Sequence, residues 1–123
     1  MVNEYPTVCN LCGNKIVYIS NERIYGKQYG SGYAYYCPYC GAYVGTHKPE
    51  PKRALGLLAN KQMRILKMEC HELFDNKWNN SKQRSEMYKR LADKMGIDTE
   101  QCHFGWFDIK MLNKAREILL DDF

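Results

Sequence analysis

The sequence predicts an α+β fold, with short β-hairpins in its N-terminal part and three helices behind them. Residues 1–47 hold nine of the ten tyrosines and six of the nine glycines, a composition typical of short strands joined by turns. After residue 48, apolar side chains recur at helical spacing. We therefore expect two domains, a small module over residues 1–47 and a helical domain over residues 48–123 that packs on it.

Two strands are predicted in the N-terminal part, over residues 15–20 (KIVYIS) and 33–36 (YAYY), because both are rich in β-branched and aromatic residues. The intervening NERIYGKQYGSG is predicted to be a loop or an irregular hairpin tip. A return strand should end near His47. In so small a module, we expect at least half of the tyrosines to belong to the core.

Three helices are predicted in the C-terminal part, after a linker (HKPEPKRA) whose two prolines prevent a continuous helix. The first covers about residues 57–78. The second covers about residues 82–95, with Ser81 as its cap and Gly96 as its stop. The third covers about residues 106–120.

Four cysteines form two copies of one motif, CNLCG at residues 9–13 and CPYCG at residues 37–41. Two residues between cysteines let a tight turn direct both sulfurs at one ion, and the following glycine can adopt the positive φ that such a turn needs. This spacing is typical of a zinc ribbon. It predicts one structural Zn²⁺ bound by Cys9, Cys12, Cys37 and Cys40, and four protein ligands leave no open position for water. A disulfide pair and a rubredoxin-type iron centre are the alternatives.

Composition indicates the compartment and limits the partners. No apolar run is long enough to cross a membrane, and the N-terminus lacks the pattern of a signal peptide, so we expect a cytoplasmic protein without membrane contact. Disulfides are rare there, which favours metal. The net charge of +4 is by itself too small to establish a polyanionic partner.

The distribution of charge is more informative, because residues 48–94 hold twelve basic and six acidic side chains. A basic linker beside a ribbon with exposed tyrosines could contact phosphates and stack on bases of DNA or RNA. The alternative is a solvated helix face on which acids balance the bases. The predicted phosphate contacts are Lys48, Lys52, Arg53, Lys61, Arg64 and Lys67, and the predicted stacking residues are Tyr25, Tyr29 and Tyr33.

Several polar residues could form a second site or a structural network. Neighbouring helical residues point about 100° apart, so neither Cys70-His71 nor Cys102-His103 chelates easily as a unit. His71 and Asp75 could instead form a simple helix-surface pair, and His103 or Asp108 could fix the start of the last helix. The candidate polar site consists of His47, His71, Asp75, His103 and Asp108.

An ordered series of segments resembles a known family: CPYCGAYVGTHKP, ALGLLAN, HELFDNKW, RLADKMGI and QCHFGWFD. They are similar to the small "zinc-finger-containing domain" proteins of phages and mobile elements over roughly residues 8–118. The resemblance implies a four-cysteine zinc ribbon, a compact helical part and a bacterial host cytoplasm, but little about function. The family pattern has a small residue at Cys70, and it matches His47, His71, Asp75, Trp78, Cys102, His103, Gly105 and Asp108.

Three functions are compatible with these features. The sequence favours a non-enzymatic binding protein whose ligand is DNA or RNA. A protein-interaction module that docks on a host polymerase or defence nuclease is the first alternative. A hydrolytic enzyme, with the candidate polar site as its centre, is the second.

Overall fold

The structure, a computed structural model, describes residues 3–121. The chain forms two compact units that divide between Lys61 and Gln62. The predicted α+β class is confirmed, since the first unit contains a three-stranded sheet and the second is helical. Within the described residues, every helix is too short or too polar to cross a bilayer.

The sheet is antiparallel, with strands β1 (Val17–Ser20), β2 (Tyr33–Tyr36) and β3 (Tyr43–Gly45) in that order. Both predicted strands are present, and β3 is the expected return strand. Val17 pairs with Tyr36, which pairs with Tyr43, so these three residues share one face of the sheet. Tyr18, Tyr35 and Val44 share the other face for the same reason.

The loop between β1 and β2 contains a four-residue helix, α1 (Glu22–Tyr25), where the sequence predicted irregular structure. Gly26 ends it with a φ of 84°. The buried Asn21 fixes the loop, because its side-chain amide donates to the Tyr29 carbonyl at 2.8 Å and its side-chain oxygen accepts from the Tyr29 amide at 3.2 Å. Four residues are too few to show helical periodicity in a sequence.

Residues 48–60, which composition assigned to the helical part, return to the sheet. Thr46 bridges to Ala54 and Tyr43 bridges to Ala59, and both alanines are buried. Asn10 clamps the end of this segment, since its side chain donates to the Leu58 carbonyl at 3.0 Å and accepts from the Leu58 amide at 2.9 Å. The segment thus belongs to the ribbon unit. The expectation that the helical domain packs on the ribbon stays a prediction.

The three predicted helices are present as α2 (Lys61–Asp75), α3 (Ser81–Met95) and α4 (Ile109–Leu120). Asn80 rather than Ser81 caps α3, because its side chain accepts from the Gln83 amide at 2.9 Å. Gly96 ends α3 with a φ of 74°, as predicted. The start of α4 is three residues later than predicted, since residues 104–106 form a separate 3₁₀ turn.

The core of the helical unit is built from all three helices and from the segment before α4. Phe74 of α2 and Phe104 of the 3₁₀ turn pack edge to face, with their ring centroids 5.8 Å apart. Phe104 packs against Phe107 with the same geometry. The helices add the following buried side chains: Met63, Cys70, Leu91, Ala92, Met95, Leu112, Ala115 and Leu119.

Candidate metal centre

The first cysteine motif folds into a tight turn. The Gly13 amide donates to the Cys9 carbonyl at 2.9 Å, and the Cys9 amide donates to the Asn14 carbonyl at 2.8 Å. Gly13 has a φ of 77°, a conformation that a side chain would strain. This turn places the sulfurs of Cys9 and Cys12 on one side of the backbone.

The second motif repeats the same hydrogen bonds. The Gly41 amide donates to the Cys37 carbonyl at 2.9 Å, the Cys37 amide donates to the Ala42 carbonyl at 2.8 Å, and the φ of Gly41 is 79°. Because this turn joins β2 to β3, the sheet positions the sulfurs of Cys37 and Cys40 against the first turn.

The four sulfurs are arranged as a zinc ion requires. The Cys9 and Cys40 sulfurs are 3.6 Å apart, the Cys12 and Cys37 sulfurs are 3.5 Å apart, and all four lie within 4.8 Å of one another. Four sulfurs at about 2.3 Å from a tetrahedral zinc are separated by about 3.8 Å. A disulfide would need about 2.05 Å, so these cysteines are not paired in disulfides.

The pKa values of the two exposed cysteines shift in opposite directions. The pKa of Cys12 is lowered to about 6 because the backbone of Asn14, and then its side-chain amide, donate to the sulfur. The backbone of Ala42 also lowers the pKa of Cys40, but desolvation and the three neighbouring sulfurs outweigh it and raise that pKa to about 12. Zinc binds the thiolate form, so its binding at Cys40 displaces the proton of that thiol. The separations of the four sulfurs make them a suitable donor set for such an ion.

A family model described as a zinc-finger-containing domain matches residues 5–122. The chain belongs to this family. No curated protein and no solved structure matches this chain. Together with the four sulfurs, the family supports the predicted Zn²⁺ at Cys9, Cys12, Cys37 and Cys40, which closes the ribbon as a structural ion.

A second metal site is not found in the part of the chain that the structure describes. There, the four cysteines are the one group of three or more metal-ligating side chains. His47 lies in the ribbon unit, where its backbone amide donates to the Arg53 carbonyl at 2.9 Å. The other members of the candidate polar site lie in the helical unit.

Within the helical unit, these residues take local roles. Desolvation lowers the pKa of His71, whose ring meets Phe104 edge to face at 4.9 Å. The charge of Asp75, one turn further along α2, opposes this shift. The ring of His103 lies 6.2 Å from that of Tyr88. Asp108 caps α4 by accepting from the Met111 amide at 2.8 Å, which is the structural role that the sequence suggested for it.

The residues predicted to contact phosphates differ in their exposure and in the partners that they already have. Lys48, Lys52 and Lys61 are exposed. Arg53 forms ion pairs with Glu4 and Glu50, so part of its charge is already engaged. Desolvation, and then the charge of Arg64, lowers the pKa of Lys67, which is half-buried. Arg64 is half-buried.

The predicted stacking residues separate into two groups. Tyr25 meets both Tyr29 and Tyr43 edge to face, at 5.5 and 5.9 Å. Tyr33 instead stacks on Tyr18 at 5.2 Å, on the other face of the sheet. All three predicted residues are exposed. Of the nine tyrosines in the ribbon unit, all of which lie in described positions, Tyr35 alone is buried, so the expectation that at least half belong to the core is wrong.

Sequence reasoning missed a concave surface on the face of the sheet that carries Tyr36 and Tyr43. A cavity of about 670 Å³ lies there, and Arg23 of α1 lines it. The alternation of YAYY indicated which tyrosines share a face, but not which face the segment after β3 would cover.

Proposed function

We propose that this protein is a non-enzymatic zinc-ribbon protein that binds DNA or RNA through its ribbon unit. One observation carries the proposal: the rings of Tyr25 and Tyr29 are exposed on a unit that also has a basic surplus. The ribbon unit contains seven Lys or Arg and three Glu, a net charge of +4. One Zn²⁺ with four thiolates lowers this charge to about +2, which still favours a polyanion.

The contact residues follow from exposure. Lys48, Lys52 and Lys61 are exposed and would contact phosphates, whereas Arg53 is engaged with two glutamates. Tyr25 and Tyr29 offer exposed rings on which bases can stack. The phage or mobile-element origin that the resemblance implies, and the host cytoplasm with it, are part of this proposal.

The test is a titration of zinc-loaded protein with labelled single- and double-stranded DNA and RNA at several salt concentrations. We expect micromolar or tighter binding that weakens log-linearly with salt, with a slope of about 0.7 to 0.9 per phosphate contacted. Replacing Lys48, Lys52 and Lys61 together by Gln should weaken binding and reduce the slope. The same change at the exposed Lys82, Lys89 and Lys110 is the charge-matched control. No binding at low salt would contradict the proposal.

Docking on a host protein is the second candidate, and exposed apolar side chains on α2 favour it. Met68 is 70% exposed and Ile65 is 47% exposed, on a helix whose other face carries buried Met63 and Cys70. If the protein acts by inhibiting a host polymerase or nuclease, Met68→Glu should remove the inhibition and leave the zinc content unchanged. Inhibition that survives this substitution would contradict docking through α2.

A further inference from the structure

A groove runs along one face of the ribbon's sheet. Its floor contains Val17 and Ile19 of β1, together with Tyr36 and Tyr43 of the two neighbouring strands. The short helix α1 forms one wall and contributes Arg23. The second cysteine turn also lines the groove, and the cavity volume of about 670 Å³ lies within the range of about 300–1,000 Å³ usual for small-molecule sites.

The groove combines aromatic and apolar surfaces with one cation. Tyr36 and Tyr43 are directly paired across β2 and β3, and both are only half-buried. A planar, uncharged ring therefore finds stacking and apolar contacts on the floor, and the Arg23 guanidinium can bind an anion beside it.

Aromatic rings continue from the groove along the surface. Tyr43 meets Tyr25 at 5.9 Å and Tyr25 meets Tyr29 at 5.5 Å. The ammonium of Lys27 lies 5.2 Å from the centre of the Tyr29 ring, so a second cation accompanies the series. Alternating rings and cations are the surface that proteins offer to an unpaired strand, whose bases stack while its phosphates meet the cations.

The segment after β3 covers part of the opposite face of the sheet. The Tyr18 hydroxyl donates to the Pro51 carbonyl, and the Tyr35 hydroxyl donates to the Lys52 carbonyl at 2.5 Å. Tyr33 stacks on Tyr18 there. The open cavity lies on the face that this segment leaves uncovered.

We infer that the groove is a subsite for one unpaired base of single-stranded nucleic acid, with Arg23 on its phosphate and the strand continuing over Tyr25 and Tyr29. This inference rests on the proposed function and adds the form of the ligand. A paired base in a duplex is stacked between its neighbours and presents only its edge, so it cannot enter the groove without being extruded.

The first experiment compares an unpaired oligothymidine containing one 2-aminopurine with a duplex that carries the same strand. We expect the zinc-loaded protein to bind the single strand at least about tenfold more tightly and to change the 2-aminopurine fluorescence through stacking. Equal or tighter binding of the duplex would overturn the inference and leave the proposed function standing. Absence of binding to both DNA probes and to RNA strands of the same length would overturn both.

The second experiment locates the base. Tyr43→Leu should weaken single-strand binding about tenfold, and Arg23→Gln should weaken it and lower the salt slope by about 0.7. The matched controls, Tyr5→Leu and Lys110→Gln, remove an exposed ring and an exposed charge elsewhere and should leave binding unchanged. Zinc content and thermal midpoint verify that each variant is folded. Folded groove variants that bind as tightly as their controls would overturn the subsite.

Discussion

Individual residues divide the metal centre into an inner and an outer half. Cys9 and Cys37 are buried, whereas Cys12 and Cys40 are exposed at the surface of the ribbon. Each exposed sulfur lies within 3.6 Å of a buried one. Zinc loss should therefore begin at the exposed pair, but loss of a buried ligand should damage the fold most.

Cys37→Ser should lower zinc affinity by at least about 100-fold, since a four-ligand site contributes about 10–16 kcal/mol in total. The thermal midpoint of the ribbon should fall with it. Cys70→Ala is the matched control, because Cys70 is an equally buried thiol whose sulfur donates to the Leu112 carbonyl in the helical unit. A chelator competition assay measures the zinc affinity of both variants, and thermal unfolding measures their midpoints. A Cys37→Ser protein with full zinc and an unchanged midpoint would contradict the assignment.

His71 should titrate below pH 6.5 in the folded protein. Desolvation lowers its pKa first, and the positive charges of Lys67 and Arg84 act in the same direction, against the opposing charge of Asp75. Near pH 6.5 the unfolded chain binds a proton at this residue that the folded chain does not bind. The free energy of unfolding therefore falls as the pH drops below that value. An NMR titration of the imidazole measures the pKa. A midpoint at or above 6.5 would show that desolvation does not dominate.

The sequence was sufficient for the zinc ligands because their geometry is local, set by two residues and a glycine in each turn. It was not sufficient for the tyrosines. Whether Tyr33 or Tyr36 faces the groove depends on strand register and on the segment after β3, which covers the other face. The register and the position of that segment depend on residues distant in the sequence, so the local pattern around a tyrosine does not predict them.

At the scale of elements, two of the helices begin where a polar side chain accepts from one of their first amides. Asn80 and Asp108 perform this role for α3 and α4. The spacing of apolar residues located both helices, but Ser81 was predicted as the cap of α3 because serine and asparagine are comparable N-cap residues. Local propensity therefore determines that a helix begins, and the backbone of the preceding turn determines which neighbouring residue caps it.

Asn80→Ala should lower the free energy of unfolding of the helical unit by about 1 kcal/mol, because the Gln83 amide loses its acceptor. Asn79→Ala is the control, since the backbone amide of Asn79, rather than its side chain, bonds to the Gln83 side chain. Urea unfolding followed by tryptophan fluorescence measures both variants. Equal losses in the two would mean that the cap contributes nothing specific.

The whole molecule has two compact units with separate sources of stability. Zinc stabilises the ribbon unit, whose sheet has only three short strands. Apolar side chains from three helices stabilise the helical unit. The chain also carries separate probes, since nine of ten tyrosines precede residue 48 and both tryptophans follow it.

Removal of zinc should therefore unfold the ribbon selectively. A strong chelator should remove most of the near-ultraviolet circular dichroism of the tyrosines while the tryptophan fluorescence and most of the helical signal remain. Restoring Zn²⁺ should restore the tyrosine signal. Simultaneous loss of both signals at one chelator concentration would show that the helical unit depends on the metal as well.

The four-sulfur zinc centre is the claim on which the fold of the ribbon and the proposed function both depend. X-ray absorption at the zinc edge, on protein purified without added metal, tests it most directly. The account predicts one zinc per chain surrounded by four sulfurs at about 2.3 Å. Nitrogen or oxygen among the nearest ligands, another metal in its place, or a second zinc per chain would contradict it.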